Sequence, residues 1–486
     1  MSVYDLRKHL DKLESIGQLQ KLDNVPLEYV VGGITDKNAQ KFGPTILFDN
    51  FEGYKPGQRV MVGSMCNPDT MAAVLGFEGM YNKLQLADKI ADMVGRINST
   101  WQDYPMEVVE DGPIFENKLM DGDVDLDKIP VPIWHENDGG RYIGTGIFQV
   151  HQDPDNGWVN CGTYRVMKHD KNKVGNYISP GHHGNIIRAK YWDKGEPCPV
   201  AFVVGAHPLF YLLGSCDVPM NVDEYNWAGA ITGERVPVVK LPKTGLPVPA
   251  EAEIVLEGFA YPDKKCLEGP FGEFTGYYGG GIREEYYVEI TGMYFRNDAI
   301  LLGSPPGPLP NDCSFQFSVM RSANIKAFFN KAGVGGVKSV WVPECSNGRS
   351  MIVTSIKQLY AGHATQVAHL AAQCPPGALI NKMSVVVDDD IDPTNMEEVI
   401  WAMTSRVDPS HDIDIVTDCW SNPLEPMIPN EDKSVGKLAT SKMVVKATIP
   451  YHRLSRDKKN LFPPAVRGSD ELMDKVMDNY GFVWEK

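Results

Sequence analysis

The stretch that most constrains this chain is a turn rich in glycine and proline with an acid at each end. It runs from Glu268 to Glu273 and carries Gly269, Pro270 and Gly272 between them. Proline removes a backbone donor and glycine admits unusual backbone angles, so a helix is not expected here. In a rigid turn, two carboxylates at this spacing can point at one small volume, where neighbouring aromatic residues raise a carboxyl pKa. The pattern predicts a proton donor or shuttle; the alternative is a surface turn with two solvated acids.

Length and composition set the frame for that turn. At 486 residues the chain has room for about three domains of roughly 150 residues each. A net charge of −16 argues against binding to nucleic acid or an anionic membrane. No run of 18 apolar residues or signal peptide is recognisable, so a cytoplasmic protein without a membrane span is expected. The nine cysteines form no Cys-x-x-Cys pair, which indicates a reducing compartment and no zinc-thiolate site.

Residues 1–115 predict a small α/β domain. A helix is expected where Val3, Leu6, Leu10 and Leu13 keep helical spacing, with Ser2 and Asp5 as a capping box and Gly17 as the end. The other predicted elements are strands at Thr45–Asp49 and Arg59–Gly63 and helices near Asp69–Leu75 and Leu84–Ile97.

Residues 116–305 are rich in strand patterns and predict a split β-barrel with helical insertions, one of them from about His182 to Lys194. The candidate strands are Gly144–His151, Gly157–Met167, Pro199–Val204, Glu251–Phe259 and Glu285–Phe295.

Residues 306–455 alternate between strands and helices, which predicts an α/β layer domain. Its expected elements are strands at Val337–Val342, Arg349–Ile356 and Leu379–Val387 and helices at Ala364–Ala372 and Met396–Ser405. The tail, 456–486, holds a terminal helix at Asp470–Tyr480 that either docks back or crosses to a partner subunit.

Several polar side chains stand out against these elements. Alternation along 158–165 puts Asn160, Gly162 and Tyr164 on one face and leaves Arg165 out of phase, as at a strand end. An arginine there can grip a carboxylate with two hydrogen bonds, or it can simply pair with a surface acid.

Three more positions carry groups that suit an anion or a metal. The histidines His182 and His183 stand at a helix start, where they either face an anion or metal or only cap and pack. Glu224 belongs to an acidic cluster that the helix dipole alone could explain. Lys382 lies inside an apolar strand pattern, where it needs a partner such as a phosphate or else reaches out to solvent.

The order and spacing of these five motifs, over nearly the whole chain, resemble the UbiD family of reversible decarboxylases. The resemblance implies an N-terminal α/β domain, a central split barrel like that of flavin reductases, and a C-terminal α/β domain that mediates dimerisation. It also implies prenylated FMN, supplied by a flavin prenyltransferase, and assembly into a homodimer or a larger homo-oligomer.

Position by position, the resemblance implies three sets of ligands. Asn160, His183 and Glu224 would hold Mn²⁺ at the cofactor phosphate, because one carboxylate leaves the metal positive charge for phosphate oxygens. Lys382 would bind the same phosphate. The backbone around Gly214, Ser215 and Asp217, with Glu224, would form a K⁺ site. The cofactor would also be lined by Thr145, Asn160, Cys161, Gly162, Thr163, Tyr164, Arg165 and His182.

The same resemblance implies the chemistry. Arg165 would orient the substrate carboxylate, Glu268 would pair with Arg165, and Glu273 would deliver the proton that replaces CO₂. The implied reaction is non-oxidative, reversible decarboxylation of an aromatic or heteroaromatic acid. Ferulate-type members have glutamine where this chain has His182, which argues against an acrylic substrate. The alternatives are a redox flavoprotein that uses plain FMN and a non-catalytic cofactor-binding subunit.

Overall fold

The first helix follows the predicted pattern. The structure, a computed structural model, describes residues 3–216, 218–454, 461–466 and 468–483. Helix α1 (Leu6–Ser15) buries the three predicted leucines, and Asp5 caps it by accepting a hydrogen bond from the backbone of Arg7. Ser2 lies outside the described residues. Gly17 follows the helix with a φ of 70°, a conformation that glycine adopts without strain.

The rest of the N-terminal segment adds three helices and three strands. They are β1 (Leu19–Val25), α2 (Val30–Gln40), β2 (Thr45–Phe51), β3 (Arg59–Val62), α3 (Pro68–Val74) and α4 (Lys83–Thr100). Capping boxes at Asn67 and Asn82 begin α3 and α4. The predicted strands at 45–49 and 59–63 and both predicted helices are confirmed, whereas β1 and α2 have no counterpart in the sequence expectations.

The middle segment is dominated by strands. They are β4 (Glu107–Val108), β5 (Asn117–Met120), β6 (Tyr142–Gly144), β7 (Phe148–Gln152), β8 (Val159–Gly162), β9 (Val166–Asp170), β10 (Lys173–Asn176), β11 (Cys198–Gly205), β12 (Pro237–Lys240), β13 (Pro247–Pro249), β14 (Ile254–Glu268), β15 (Arg283–Phe295) and β16 (Ile300–Leu302). Its helices are α5 (His183–Asp193), α6 (Pro208–Gly214) and α7 (Glu224–Thr232).

Nine of these strands form one antiparallel half-barrel sheet. Its order is β6-β9-β10-β15-β14-β11-β7-β8, and β5 also pairs with β15. A small second sheet has the order β13-β12-β4. The short β16 leaves the middle segment and pairs in parallel with β3, which completes a first sheet of order β1-β2-β3-β16. The predicted strands in β11, β14 and β15 and the helix α5 are confirmed.

Two predicted strands of this sheet are wrong as single elements. The stretch 157–167 divides into β8 and β9, because Thr163 donates its backbone N–H to the carbonyl of Gly214, at the end of α6, rather than to a neighbouring strand (2.8 Å). Arg165 therefore lies between two strands, as its position out of phase predicts. The stretch 144–151 is also divided, because β6 ends at Gly144 and β7 begins at Phe148.

The C-terminal segment forms a five-stranded sheet with helices. Its elements are α8 (Ser314–Lys331), β17 (Val337–Trp341), β18 (Met351–Ile356), α9 (His363–Gln373), α10 (Pro375–Ala378), β19 (Met383–Asp388), α11 (Met396–Arg406), β20 (Ile413–Trp420), α12 (Asn430–Ser434), β21 (Ala439–Ala447) and α13 (Asp470–Tyr480). The order is β17-β18-β19-β21-β20, with the three central strands parallel. The predicted strand 379–387 begins late, so Lys382 precedes β19 instead of lying within it.

Core packing joins the three segments. One hydrophobic cluster includes Leu6 and Leu10 of α1, Phe148 and Val150 of β7, and Phe315 of α8. Two smaller clusters cover the faces of the C-terminal sheet. The divisions near residues 115, 305 and 455 stay predictions. Among the described residues, no helix combines the length and apolar character that a bilayer crossing requires.

Candidate active site

The turn between β14 and β15 brings its two acids onto one arginine. Arg165 Nη2 donates to Glu268 Oε2 and Arg165 Nη1 donates to Glu273 Oε1, both at 2.6 Å. The side chains of Arg165, Glu268 and Glu273 are 8%, 1% and 12% exposed, so water screens these ion pairs weakly. The sequence prediction that two acids share one volume is confirmed, and the solvated surface turn is wrong.

The backbone of the turn explains why glycine is needed. Gly269 has a φ of 92°, which strains any residue with a Cβ. Gly139 approaches so closely that a Cβ on it would lie 2.1 Å from the carbonyl oxygen of Gly269. The N–H of Gly139 also donates to the carbonyl of Pro270 at 2.7 Å. These contacts hold the two acids at a fixed separation.

A buried tyrosine supports Glu268 from behind. Tyr142 of β6 donates its hydroxyl hydrogen to Glu268 Oε1 at 3.0 Å. The ring of Tyr142 stacks on Phe271, with centroids 3.9 Å apart. Burial raises the pKa of Tyr142, so it stays a hydroxyl donor over the ordinary pH range. Each oxygen of Glu268 therefore accepts a hydrogen bond from a fixed donor.

Arg165, Glu268 and Glu273 form the triad of this site, and the pKa values of Glu273 and Arg165 are shifted. Burial raises the pKa of Glu273 from 4.5 to about 7, although the charges of Arg165 and Arg283 oppose the rise. Burial disfavours the charged form of Arg165, but the two carboxylates outweigh it and raise the Arg165 pKa. Glu273 therefore exchanges a proton near neutral pH, while Arg165 stays a cation.

A second polar group, called the Glu224 cluster, is formed by Glu224 and Asn160 at the start of α7. Glu224 is buried and accepts from Asn160 Nδ2 at 3.0 Å and from the backbone N–H of Cys161 at 2.9 Å. Burial raises the Glu224 pKa to about 8. Asn160 Oδ1 is buried with no hydrogen-bond partner among the described residues. His183, the first residue of α5, packs edge-on against Trp158 with ring centroids 5.1 Å apart.

The remaining residues predicted to line a cofactor follow β8. Cys161 and Gly162 are buried, and Thr163 Oγ1 is a buried atom without a partner in the described chain. Tyr164 accepts from the backbone N–H of Gly184 at 3.2 Å. Thr145 Oγ1 accepts from Ser304 N at 2.9 Å, and the exposed His182 ring lies 5.7 Å from that of Tyr164.

The other predicted ligands are only partly accounted for. Gly214 and Ser215 end α6, and the Gly214 carbonyl accepts from Thr163; Asp217 lies outside the described residues. Lys382 is held in the C-terminal segment, where its Nζ lies 2.7 Å from Thr440 Oγ1 and 3.5 Å from Glu425 Oε1. The role of Lys382 at a phosphate stays a prediction.

Three site residues escape the sequence reasoning. Tyr142, Tyr177 and Arg283 all surround the Arg165 triad, and none belongs to a recognisable local pattern. The one available signal is a run of three glycines that ends two residues before Arg283, which predicts a turn that could carry Arg283 back over the site.

This geometry, an arginine held between two buried carboxylates on a half-barrel sheet, fits an enzyme that handles a carboxylic acid and a proton. Two sequence profiles match the chain: the 3-octaprenyl-4-hydroxybenzoate carboxy-lyase Rift-related domain over residues 107–309 and the C-terminal domain of the same enzyme group over residues 314–447. The chain belongs to the UbiD family, and it is a carboxy-lyase that decarboxylates aromatic acids.

Curated relatives match over almost their full length. A phenolic acid decarboxylase of Bacillus subtilis is 30% identical, with 98% of this chain and 99% of the relative covered. A pyrrole-2-carboxylic acid decarboxylase of Pseudomonas aeruginosa is 29% identical, with 99% of each covered.

Solved structures of similar proteins also match nearly the whole chain. HmfF of Pelotomaculum thermopropionicum, a UbiD-class enzyme in complex with FMN, has a TM-score of 0.83 at 26% identity and covers 97% of this chain and 99% of HmfF. The closed form of vanillic acid decarboxylase from Sedimentibacter hydroxybenzoicus has a TM-score of 0.79 at 28% identity, with 98% of each covered. An evolved dimeric form of HmfF was solved with prFMN (TM-score 0.80, 26% identity, 98% of this chain and 99% of that chain).

Proposed function

We propose that this chain uses prenylated FMN to decarboxylate, reversibly, an aromatic or heteroaromatic carboxylic acid. In the forward direction an aryl carboxylate and one proton become an arene and CO₂. The observation that carries the proposal is the ion-paired triad of Arg165, Glu268 and Glu273. When bound, the cofactor would supply an electron sink for the pair released as the C–C bond breaks.

Arg165 and Glu268 form the fixed part of the proposed mechanism. Glu268 accepts from both Arg165 and Tyr142, so it holds the guanidinium plane in one orientation. Arg165 then directs positive charge at the place where the substrate carboxylate binds. This orientation costs little reorganisation during the reaction, because each partner is already locked by a second contact.

Glu273 is the residue that transfers the proton in the proposed mechanism. With a pKa of about 7 it is partly protonated at neutral pH. In decarboxylation the protonated carboxyl gives its proton to the ring carbon that loses CO₂. In carboxylation the ionised form takes the proton from that carbon. Arg165 accommodates both forms because it keeps Glu268 as a partner.

The residues of β8 and the segment after it fit a flavin phosphate and ring. Asn160 Oδ1, Thr163 Oγ1 and Arg165 Nε are buried atoms without a partner among the described residues. Such atoms each cost free energy unless a ligand satisfies them. Their spacing along 160–165 supports a cofactor that runs from the Glu224 cluster towards the Arg165 triad.

The Glu224 cluster also fits a divalent cation. A buried carboxylate with a pKa raised to about 8 and an unpaired amide oxygen are hard oxygen donors that a cation would stabilise. We therefore assign Mn²⁺ to Asn160, Glu224 and His183. The described chain has no cluster of three or more His, Cys, Asp and Glu side chains arranged for a metal, and the proposed set needs only two of that kind plus an amide. A K⁺ ion would use Glu224 and the backbone of Gly214 and Ser215.

Assembly and cofactor supply complete the proposal. A flavin prenyltransferase would provide the cofactor. A homodimer or larger oligomer is supported by α13, which exposes Leu472, Met473 and Met477, residues that a partner subunit would cover.

Co-expression with a flavin prenyltransferase tests the proposal. The purified chain should carry a modified flavin, visible by absorbance and mass spectrometry, and should release CO₂ from members of a panel of aryl acids that includes pyrrole-2-carboxylate and 4-hydroxybenzoate. Stoichiometric NAD(P)H oxidation without CO₂ release would refute it.

A further inference from the structure

A second arginine, Arg283, stands at the solvent side of the triad. It is the first residue of β15 and pairs in register with Glu268, the last residue of β14. Its guanidinium lies 4.3 Å from the ring centroid of Tyr177, and that of Arg165 lies 5.0 Å from the same ring. The side chain of Arg283 is 27% exposed, against 8% for Arg165. Of the two arginines, Arg283 is therefore the more accessible to solvent.

The absence of a side chain at Gly280 leaves the space that the guanidinium of Arg283 occupies. A Cβ built on Gly280 would lie 1.8 Å from Arg283 Nη2 and 3.1 Å from its Cζ. Gly280 does not have the positive φ that would otherwise require glycine, so a side chain added there would first meet the end of the Arg283 side chain and displace it. The neighbouring Gly281 has open space around its Cβ position.

The terminal nitrogens of Arg283 have room for a ligand, whereas those of Arg165 already bind carboxylates. Both terminal nitrogens of Arg165 are taken by carboxylates at 2.6 Å. Within the described chain, the ion-pair contact of Arg283 is Nε to Glu268 Oε2 at 4.0 Å, which is too long for a hydrogen bond. Its terminal nitrogens form a fork that matches a carboxylate.

The described chain leaves Arg283 without a close carboxylate at its terminal nitrogens, whereas both terminal nitrogens of Arg165 have one. A monoanionic substrate would supply that partner, and a paired charge is far less costly to bury than an unpaired one.

We infer that Arg283 is a specificity-determining residue that binds the carboxylate of the aromatic acid as it enters and holds it beside Arg165. The inference rests on the proposed function and extends it. Arg283 Nε and Arg165 Nη2 approach the same oxygen of Glu268, so both guanidinium groups serve the reacting carboxylate rather than a substituent across the ring.

Acid-over-amide selectivity tests this role in the cofactor-loaded chain. The probes are pyrrole-2-carboxylate and benzoate, each compared with its neutral amide in calorimetric titrations, together with KM and kcat for any acid that releases CO₂. The variants are Arg283→Gln, Arg283→Lys and Gly280→Ala, with Gly281→Ala as the matched control.

Loss of a charged hydrogen bond of about 1.5–3 kcal/mol corresponds to a roughly 10- to 100-fold weaker affinity for the acid. We expect that loss in Arg283→Gln and Gly280→Ala, with amide affinity unchanged, KM raised more than kcat is lowered, partial rescue in Arg283→Lys and wild-type behaviour in Gly281→Ala.

Two outcomes would overturn the inference: a wild-type chain that binds acid and amide equally, or an Arg283→Gln chain that keeps the wild-type preference. Gly280→Ala provides an independent displacement of the guanidinium if Arg283→Gln folds poorly. Absence of CO₂ release from every acid, with the Arg283-dependent preference intact, would instead refute the proposed function alone.

Discussion

Replacing Glu273 with glutamine is the sharpest test of the proposed mechanism. The change keeps the shape of the side chain but removes the proton that it is proposed to deliver. Turnover should fall on the order of 10²-fold or more, as expected when a general acid is lost. The cofactor should remain bound, because Glu273 forms its ion pair with Arg165 and not with a member of the Glu224 cluster.

The pH dependence of the wild-type enzyme follows from the same group. Burial raises the pKa of Glu273 to about 7, so the protonated fraction falls tenfold for each pH unit above that value. The rate of decarboxylation should decline with that single-proton slope above about pH 7. The residual activity of Glu273→Gln should lack this slope.

The pH dependence of the unfolding free energy gives a second, independent measure of the Glu273 pKa. A folded-state pKa of about 7 lies above the ordinary 4.5, so Glu273 contributes stability below about pH 4.5 that is lost as the pH rises through 7. At 1.36 kcal/mol for each pKa unit, the full effect is about 3 kcal/mol. Glu273→Gln should therefore lie within about 1 kcal/mol of the wild type near pH 5 and gain stability over it, by up to the full amount, near pH 8.5.

The assays are CO₂ release and thermal unfolding, each measured from pH 5 to pH 8.5. Glu284→Gln is the matched control, because Glu284 is an exposed carboxylate on β15. Turnover within threefold of wild type in Glu273→Gln, or a pH slope that survives the substitution, would refute the assignment of the proton donor. Purified Glu273→Gln without cofactor would contradict the separation of roles.

Further predictions follow from the surrounding contacts. Glu224→Ala should lose both manganese and flavin, measured by elemental analysis and absorbance, whereas retention of both would remove the metal assignment. Phe271→Ala should cost about 3–5 kcal/mol of unfolding free energy, because it deletes a buried ring stacked on Tyr142; a loss below 1 kcal/mol by denaturant titration would contradict this. His182→Gln should change the substrate profile and the pH dependence of turnover, and an unchanged profile would show that His182 does not meet the substrate.

Local patterns predicted the elements whose cause is local. The leucine spacing of α1 and the turn from Glu268 to Glu273 depend on neighbours a few residues away, and both are confirmed. By contrast, α2 contains two adjacent glycines, which weaken any helix signal. Gly32 is needed because a Cβ there would lie 1.9 Å from the carbonyl oxygen of Trp134, a contact across a hundred residues that no sequence window contains.

The same reasoning separates the predictable part of the site from the rest. Arg165, Glu268 and Glu273 were recognisable by residue type, spacing and family resemblance. Tyr142 was not, because its hydroxyl meets Glu268 only after β6 and β9 have been paired antiparallel in the sheet. For Lys382 the sequence predicted a position that the structure does not show. Its apolar surroundings suggested a strand interior, but the chain pairs it with Thr440 and Glu425 just before β19.

The register of β14 and β15 links the stability of the fold to the chemistry of the site. Glu268 is the last residue of one strand and Arg283 the first of the next, and an irregularity between Ala260 and Lys265 sets which face each side chain takes. Because side chains alternate along a strand, a slip of one residue would turn Glu268 away from Arg165. That slip would bury an unpaired charge at a cost of about 3–5 kcal/mol. The ion pairs proposed to orient the substrate therefore also disfavour the wrong pairing of the strands that carry them.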